Sequence, residues 1–213
     1  LRMHNVRGFS TEIVSAVSAI RNHDCSVLIG NGAIDEPCSA FQPQALRNCK
    51  LHRSFYLYLL LLWLYVFNLN FLGTLLPTQV FAKDMVEKKS GCILNVSSMN
   101  AYTPLTKIPA YSAAKAGISN FTQWLATHFA GTGIRCNAIA PGFLVSAQNY
   151  RLLFNEDGTP TARTGKILAA TPMGRFGESS ELEGGLLFLL NNDAAGFITG
   201  VVLPIDGGFS AYS

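Results

Sequence analysis

The chain has 213 residues, of which 49% are hydrophobic and 14% are charged, and its formal net charge at pH 7 is +3. This composition excludes a disordered chain and is typical of a globular protein with one sizeable core. We therefore expect a single domain over residues 1–213.

Charge and cysteine content further limit the class of protein and its partners. The densest basic group, "RNCKLHR" at 47–53, lacks the interleaved aromatic residues of a nucleic-acid surface, so we interpret it as a solvated loop and expect no nucleic-acid partner. The five cysteines are an odd number without metal-site spacing, which predicts a reduced, cytoplasmic setting and no bound metal. The first residues lack the basic and apolar regions of a secretory signal.

The first quarter of the chain contains one predicted helix and one predicted strand. The spacing of apolar residues over 10–20 predicts a helix, and "SVLIG" at 26–30 reads as a short buried strand. Residues 31–54 contain turn formers and mixed charge without a clear period, which predicts a loop.

An uninterrupted apolar segment, "FYLYLLLLWLYVF", follows at 55–67. It is shorter than the about 20 residues of a membrane span, and extending it to residue 76 would bury Asn68 and Asn70 in lipid. The sequence therefore favours a long helix over about 55–88 that packs on a sheet, without a membrane partner. Pro77 is expected to kink this helix or to mark where it starts again.

The rest of the chain alternates strands and helices. "GCILNVSS" (91–98) has the continuous apolar run of a strand covered on both faces, a helix is predicted over about 110–130, and "GIRCNAIAPG" (133–142) is a second such strand. A Ser-x-x-Glu-like cap opens a predicted helix at 179–190, and "GVVLPIDGG" (200–208) is the last strand. This alternation predicts an α/β fold, a doubly wound parallel sheet with helices on both faces.

Polar residues follow the predicted strands, at the edge of the sheet where ligands of such folds bind. Ser98 ends one strand, and Tyr111 and Lys115 lie one turn apart on one face of the next helix. A phenol ionises near about pH 10, and lowering its pKa by about 3 units requires roughly 4 kcal/mol, part of which a nearby ammonium supplies. With a serine hydroxyl to hold the reacting oxygen, this set suits acid–base catalysis of a carbonyl–alcohol interconversion.

A Tyr-x-x-x-Lys pair alone occurs by chance in many helices, but four companion motifs surround it here. In chain order the five motifs are "NLNFLGT" (68–74), "LNVSS" (94–98), "YSAAK" (111–115), "NAIAPG" (137–142) and "DGG" (206–208). Together they resemble the short-chain dehydrogenase/reductase family from about residue 68 to the C-terminus. The resemblance implies a Rossmann-like fold, NAD or NADP as cofactor, and a homo-oligomer, either a dimer or a tetramer.

The resemblance also implies roles for individual residues. Tyr111 corresponds to the general acid/base, Lys115 to the residue that lowers its pKa and binds the nicotinamide ribose, and Ser98 to the group that orients the substrate oxygen. Asn70 matches the asparagine that holds a water in the proton relay. Besides Tyr111 and Lys115, the cofactor is expected to meet Asn31, Gly32, Pro141, Gly142 and Ser146.

Two of these cofactor positions differ from the family pattern. Asn31 and Gly32 belong to "GNGA", which looks like the family's Asn-Asn-Ala-Gly motif slipped by one residue. Ser146 stands where the family usually has a threonine that contacts the carboxamide, and it keeps the hydroxyl.

Within the family, the segments at 97–126 and 140–177 and the closing "DGGFSAYS" resemble the D-mannonate oxidoreductase, or fructuronate reductase, branch. The implied reaction is hydride transfer between a nicotinamide and C5 of a six-carbon sugar acid. An anionic substrate calls for a cation, and Lys107, Arg151 and Arg163 lie in segments expected near the strand ends. Each of the three is more readily interpreted as a surface charge.

The N-terminal part departs from the family. Residues 1–54 form a divergent segment without the glycine-rich turn that receives the pyrophosphate, and the leucine-rich 55–67 replaces a mixed polar and aromatic helix start. We interpret the chain as a truncated or frame-disturbed product with weak cofactor binding, in which NAD and NADP stay equally open. The strand predicted at 26–30 would then become an apolar edge that promotes aggregation or oligomerisation.

Three alternative functions stay open at this point. The first is a short-chain reductase that acts on another alcohol or ketone. The second is a catalytically inactive remnant that associates with intact relatives through the helices at 55–88 and 110–130. The third is a fragment held in a membrane by residues 55–76.

Overall fold

The computed structural model describes residues 53–105, 107–147 and 149–212, with side chains from Leu59 onward. The helix predicted at 10–20 and the strand predicted at 26–30 lie outside these residues. Residues 53 and 54, the last two of the predicted loop, belong instead to a helix that begins at Arg53.

The longest element is helix α1, Arg53–Lys88, as the sequence predicts. It is continuous through Pro77 rather than starting again there. Proline removes one main-chain donor from a helix. Two threonine side chains bond back to the preceding turn: Thr74 Oγ1 donates to the Asn70 carbonyl at 3.1 Å, and Thr78 Oγ1 donates to the Thr74 carbonyl at 2.8 Å.

Helix α1 packs against strand β1 (Gly91–Val96) and helix α2 (Pro109–His128), as expected for a helix that covers a sheet. Its outer surface nevertheless exposes many apolar side chains, including Phe81 at 61% of its full area. By length and composition alone, Leu59–Lys88 is able to cross a membrane.

In the part of the chain that the structure describes, three parallel strands form a sheet in the order β1–β2–β3. Strand β2 is Ile134–Pro141 and strand β3 is Val202–Ile205. Val96 at the end of β1 lies opposite Ile139 of β2, and Pro141 at the end of β2 lies opposite Ile205 of β3. These pairings confirm the predicted α/β fold with a parallel sheet, and they bring the carboxyl ends of the strands to one edge.

Burial distinguishes β2 from β1. Every residue of β2 except the terminal Pro141 is buried, which is the pattern of a strand covered on both faces. The same pattern was expected of β1, but most of its residues are only half-buried and Val96 is 50% exposed. The reason is its position, because within the described residues no strand pairs with the other edge of β1.

Helices cover both faces of the sheet. On one face, Ile134 and Cys136 of β2 join a buried cluster with Leu125 of α2 and with Phe129, which directly follows α2. Successive side chains of a strand point to opposite faces. Arg135 accordingly points to the other face, where its Nη1 donates to the Leu189 carbonyl at 2.9 Å.

The elements between β2 and β3 are four helices: α3 (Tyr150–Leu153), α4 (Ala162–Ala169), α5 (Ser180–Leu190) and α6 (Asn192–Ala195). Helix α5 contacts all three strands and covers the face that Arg135 points to. The expected serine cap of α5 is not made, since Ser179 forms no side-chain capping hydrogen bond. Instead, the main-chain N–H of Glu178, which precedes the helix, donates to Glu181 Oε2 at 2.9 Å.

Candidate active site

The site begins where β1 ends. The Ser97 N–H continues the strand ladder by donating to the Ile139 carbonyl at 2.8 Å. The chain then turns into a short 3-10 helix, Met99–Ala101, whose N-cap is Ser98. Ser98 Oγ accepts from the Asn100 main-chain N–H at 3.2 Å, so the turn fixes the position of the Ser98 hydroxyl.

Helix α2 places two functional side chains beside this turn. Pro109 occupies the start of α2, where its missing N–H costs nothing. Tyr111 lies in the first turn, and the Lys115 Nζ lies 5.6 Å from the centroid of the Tyr111 ring. The same Nζ donates to the Val96 carbonyl at 2.9 Å, so both side chains lie near the end of β1.

Tyr111 and Ser98 are hydrogen-bonded through their side chains. Burial raises the pKa of the Tyr111 phenol, and the hydrogen bond with Ser98 offsets only part of that rise. The cost of burying a phenolate outweighs the Ser98 hydrogen bond, and the expected lowering of the Tyr111 pKa by Lys115 stays a prediction. The phenol is therefore protonated at neutral pH.

Lys115 responds to the same environment in the opposite direction. Burial lowers the pKa of its ammonium group, since the charged form loses hydration. Its hydrogen bond to the Val96 carbonyl compensates for part of that loss. The hydrogen bond thus holds the ammonium at the end of β1.

A cavity of about 580 Å³ opens in front of the Tyr111–Ser98 pair. Asn70 of α1 and Gly142, which follows β2, also line it, so the structure brings four of the predicted site residues to one cavity. Asn70 Nδ2 donates to the Val66 carbonyl of its own helix at 2.9 Å. The expected role of Asn70 in holding a water stays a prediction.

A second cavity, of about 510 Å³, adjoins the exposed edge of β1. Lys115 and Val96 line it, and Asn70 lines both cavities. The two cavities therefore meet at α1, with the phenol on one side and the ammonium on the other.

The turn after β2 is fixed by contact with the end of β3. The Gly142 N–H donates to the Ile205 carbonyl at 2.9 Å. A Cβ at position 142 would lie 2.6 Å from the Asp206 Cα, closer than carbon atoms approach. Only glycine fits here without a shift of one strand end, and Pro141 precedes it as the last residue of β2.

The structure does not bring every predicted cofactor residue to the site. Ser146 is exposed and does not line either cavity, and its Oγ accepts from the Asn149 N–H at 3.3 Å. Its expected contact with the carboxamide stays a prediction. Asn31 and Gly32 lie outside the described residues.

The three candidate cations differ in their positions. Arg163 lines the cavity beside Tyr111 and is half-buried. Lys107 and Arg151 are exposed and line neither of the two cavities. Among the described residues, no group of three or more histidine, cysteine and acidic side chains is placed to hold a metal ion.

Sequence reasoning missed two polar residues that line the cavity. Asn100 Nδ2 lies 3.4 Å from Ser98 Oγ, and Asn100 Oδ1 is buried without a hydrogen-bond partner. Asn149 Nδ2 donates to the Leu144 carbonyl at 2.8 Å. Asn100 could have been found from its place two residues after the end of β1, whereas no sequence signal marks Asn149.

Comparison with known proteins defines the class to which this fold and site belong. The model of a family described as enoyl-(acyl carrier protein) reductase matches residues 45–210. Together with the relatives below, this match shows that the chain belongs to the short-chain dehydrogenase/reductase family.

Among similar proteins, an uncharacterized oxidoreductase of Haemophilus influenzae is 70% identical over 149 residues, which are 70% of this chain and 52% of that protein. A crystal structure from the same species, of a candidate D-mannonate oxidoreductase with bound NAD, is 70% identical, covers 71% of this chain and 54% of that one, and has a TM-score of 0.68. A candidate 2-deoxy-D-gluconate 3-dehydrogenase of Agrobacterium tumefaciens with bound NADP is 35% identical, covers 70% and 58% of the two chains, and has a TM-score of 0.64. The chain spans about half the length of the curated relatives it matches.

Proposed function

We propose that this chain carries the acid–base residues of an NAD(P)-dependent oxidoreductase that interconverts the alcohol and carbonyl forms of a sugar acid of the D-mannonate/D-fructuronate type. The hydrogen-bonded Tyr111–Ser98 pair at the end of β1 carries the proposal. The pair faces a cavity large enough for a six-carbon substrate, about 580 Å³.

The protonated state of the Tyr111 phenol suits the reduction of a carbonyl to an alcohol. A carbonyl that becomes an alcohol needs a hydride on carbon and a proton on oxygen, and a bound nicotinamide cofactor supplies the hydride. The Tyr111 phenol, kept protonated by burial, donates the proton to that oxygen. The Ser98 hydroxyl holds the same oxygen against the phenol, because the turn that begins at Ser98 fixes its direction.

The described residues fit the nicotinamide end of such a cofactor. Lys115 offers three N–H donors at the wall of the second cavity, which suits the hydroxyl groups of a ribose. To hold a ribose, Lys115 would exchange its bond to the Val96 carbonyl for bonds to the sugar. We assign Pro141 and Gly142 to the nicotinamide side of the site, since both lie at the end of β2.

The sugar-acid substrate is supported by resemblance and by the walls of the cavity. One similar structure is named as a candidate D-mannonate oxidoreductase, and another as a candidate deoxygluconate dehydrogenase. Polar side chains line the cavity, and such groups suit a polyhydroxylated chain: Asn70, Ser98, Asn100, Tyr111 and Asn149.

We also propose that the protein is cytoplasmic and forms a homo-oligomer through α1 and α2. Rings from both helices form a continuous row, in which Phe71 meets Phe121 at 5.9 Å and Trp124 stacks on His128 at 4.4 Å between centroids. Within this row, Trp124 is 52% exposed. A second copy of the same surface would cover these rings, and aromatic residues are enriched where protein surfaces associate.

Turnover with a carbonyl sugar acid tests the proposed function. The purified chain is mixed with D-fructuronate and either NADH or NADPH at millimolar concentration, and oxidation of the cofactor is followed by its absorbance. We expect oxidation of one cofactor that depends on the sugar acid. Absence of oxidation with every carbonyl compound in a panel, in a sample that circular dichroism shows to be folded, would contradict the proposal.

A further inference from the structure

The charged residue that lines the cavity beside Tyr111 is an arginine, Arg163. Among the described residues that line it, Arg163 alone has a charged side chain at neutral pH, and no carboxylate lies on the walls. The Arg163 side chain is half-buried, and apolar residues such as Leu152 and Leu153 adjoin it on the same wall. A guanidinium in such surroundings favours an anion, because it binds a carboxylate through two parallel hydrogen bonds and the low polarity strengthens them.

The neighbouring cations do not share this position. Arg151 belongs to α3, next to the cavity-lining Leu152 and Leu153, but Arg151 itself is exposed and absent from the cavity wall. Lys107 is also exposed and absent from that wall. A cation in this part of the chain therefore does not line the cavity merely because it is nearby. Arg163 lines the cavity because of the way α4 packs.

The electrostatics of helix α4 do not favour an arginine at position 163. This residue lies in the first turn of α4, just after the capping residue Thr161, and that turn contains no acidic side chain. The helix dipole makes a cation unfavourable at the N-terminus and an anion favourable.

We propose that Arg163 binds the carboxylate of the substrate and thereby selects sugar acids over neutral sugars and polyols. This inference rests on the proposed function and deepens it by naming the residue that sets the substrate class. Tyr111 and Ser98 line the same cavity, so a substrate held at its carboxylate by Arg163 presents a carbon farther along its chain to that pair.

Direct binding tests the assignment without requiring turnover. The full 213-residue chain is titrated by calorimetry with D-mannonate and, separately, with D-mannitol, which has a neutral hydroxymethyl group in place of the carboxylate. We expect at least about tenfold tighter binding of D-mannonate. Arg163→Gln should weaken D-mannonate binding by about 10- to 100-fold, the range for a hydrogen bond to a charged group, and leave D-mannitol binding unchanged.

Two further variants separate this role from general electrostatics. Arg163→Lys, which keeps the charge but not the paired donors, should retain part of the preference. Arg151→Gln removes the same charge from a nearby exposed position and should change D-mannonate affinity by no more than about twofold. Thermal unfolding of each variant verifies that the fold is intact.

The outcomes are distinct from those that test the proposed reaction. A wild-type chain without preference for D-mannonate, an Arg163→Gln variant that keeps the preference, or an equal loss in Arg151→Gln would overturn the assignment. An Arg163-dependent preference in a chain that oxidises no nicotinamide would uphold the carboxylate site and refute the proposed reaction alone.

Discussion

The Tyr111 phenol and the Ser98 hydroxyl are hydrogen-bonded although they belong to different elements of the fold. Ser98 caps the turn at the end of β1, and Tyr111 lies in the first turn of the helix that packs over that turn. Their contact therefore depends on the strand, the turn and the helix together.

A comparison of Ser98→Ala with Ser97→Ala should distinguish a catalytic hydroxyl from a structural one. We expect Ser98→Ala to lower carbonyl reduction by about 10- to 1000-fold, because the reacting oxygen loses a positioned donor. Ser97 Oγ instead donates to the Lys115 carbonyl at 3.0 Å and lies 2.6 Å from Ser119 Oγ. Ser97→Ala should cost about 1 kcal/mol of unfolding free energy and affect activity much less.

Steady-state rates and urea unfolding of the two serine variants measure this contrast. Equal losses of activity in both variants, or a larger loss in Ser97→Ala, would show that Ser98 has no special role.

The pH dependence should follow the raised pKa of Tyr111. Reduction needs the protonated phenol, so its rate should stay level through neutral and mildly alkaline pH and fall only above about pH 10. Oxidation of the alcohol needs the phenolate, so it should rise towards the same alkaline range. A decline of the reduction rate already near pH 7 would contradict the raised pKa of Tyr111 and would assign the proton to another group.

Stability should respond to the same titration. The folded state favours the neutral phenol, so this contribution is fully present below the unfolded pKa of about 10 and is lost as the pH rises through the higher folded pKa. Tyr111→Phe should therefore reduce the loss of stability at alkaline pH. Unfolding free energies of the two proteins that run parallel from neutral to strongly alkaline pH would contradict the raised pKa.

Arg135 should be essential for the packing of α5 on the sheet. Its buried guanidinium donates to the Leu189 carbonyl at 2.9 Å and, through Nη2, to Asn192 Oδ1 at 2.7 Å. Arg135→Met would leave these acceptors unpaired, and we expect a loss of about 3 kcal/mol in unfolding free energy. Arg175→Met, which removes an exposed ion pair with Glu181, should leave the unfolding free energy nearly unchanged, because solvent screens the pair.

Chemical denaturation of both arginine variants provides the comparison. A similar stability of Arg135→Met and the wild-type chain would mean that the strand and helix hold together without these hydrogen bonds.

Self-association should depend on the exposed face of α1. Val80 lies beside the aromatic row at 62% exposure, and we expect Val80→Glu to shift the protein from oligomer to monomer, because a charge would be buried between copies. Leu187→Glu on α5, at 67% exposure, serves as the matched control and should leave the oligomer intact. Light scattering during gel filtration measures the mass.

Two results would contradict this interface. Equal dissociation by both charged variants would indicate nonspecific apolar association. Recovery of the wild-type chain in the membrane fraction, with release by Val80→Glu, would favour the membrane-anchored alternative that the composition of α1 permits.

The sequence predicted most of the framework and the central group of the site. Apolar runs predicted β1 and β2, and the i,i+4 spacing placed Tyr111 and Lys115 on one face of α2. Ser98 was expected beside them because it follows a strand. These features depend on local periodicity, which a single sequence displays.

Other features depend on burial and loop packing, which the sequence does not display. The spacing of Tyr111 and Lys115 predicts that they are close, but only the fold shows that the phenol is buried and that burial raises its pKa. Ser146 and Arg163 lie in the same irregular region after β2, and the packing of its short helices turns only Arg163 to the cavity. Residues with similar sequence surroundings therefore have different positions in the site.

The most direct test of the account is carbonyl reduction by Tyr111→Phe, with Tyr102→Phe as control, since Tyr102 is an exposed tyrosine whose hydroxyl donates to the Val202 carbonyl at 3.0 Å. Rates are measured with D-fructuronate and saturating reduced cofactor, and D-mannonate affinity is measured in parallel. If Tyr111 donates the proton, Tyr111→Phe reduces the rate by about 100- to 10,000-fold with little change in affinity, and Tyr102→Phe stays close to the wild-type rate. A Tyr111→Phe variant that reduces the sugar acid at the wild-type rate would contradict the account.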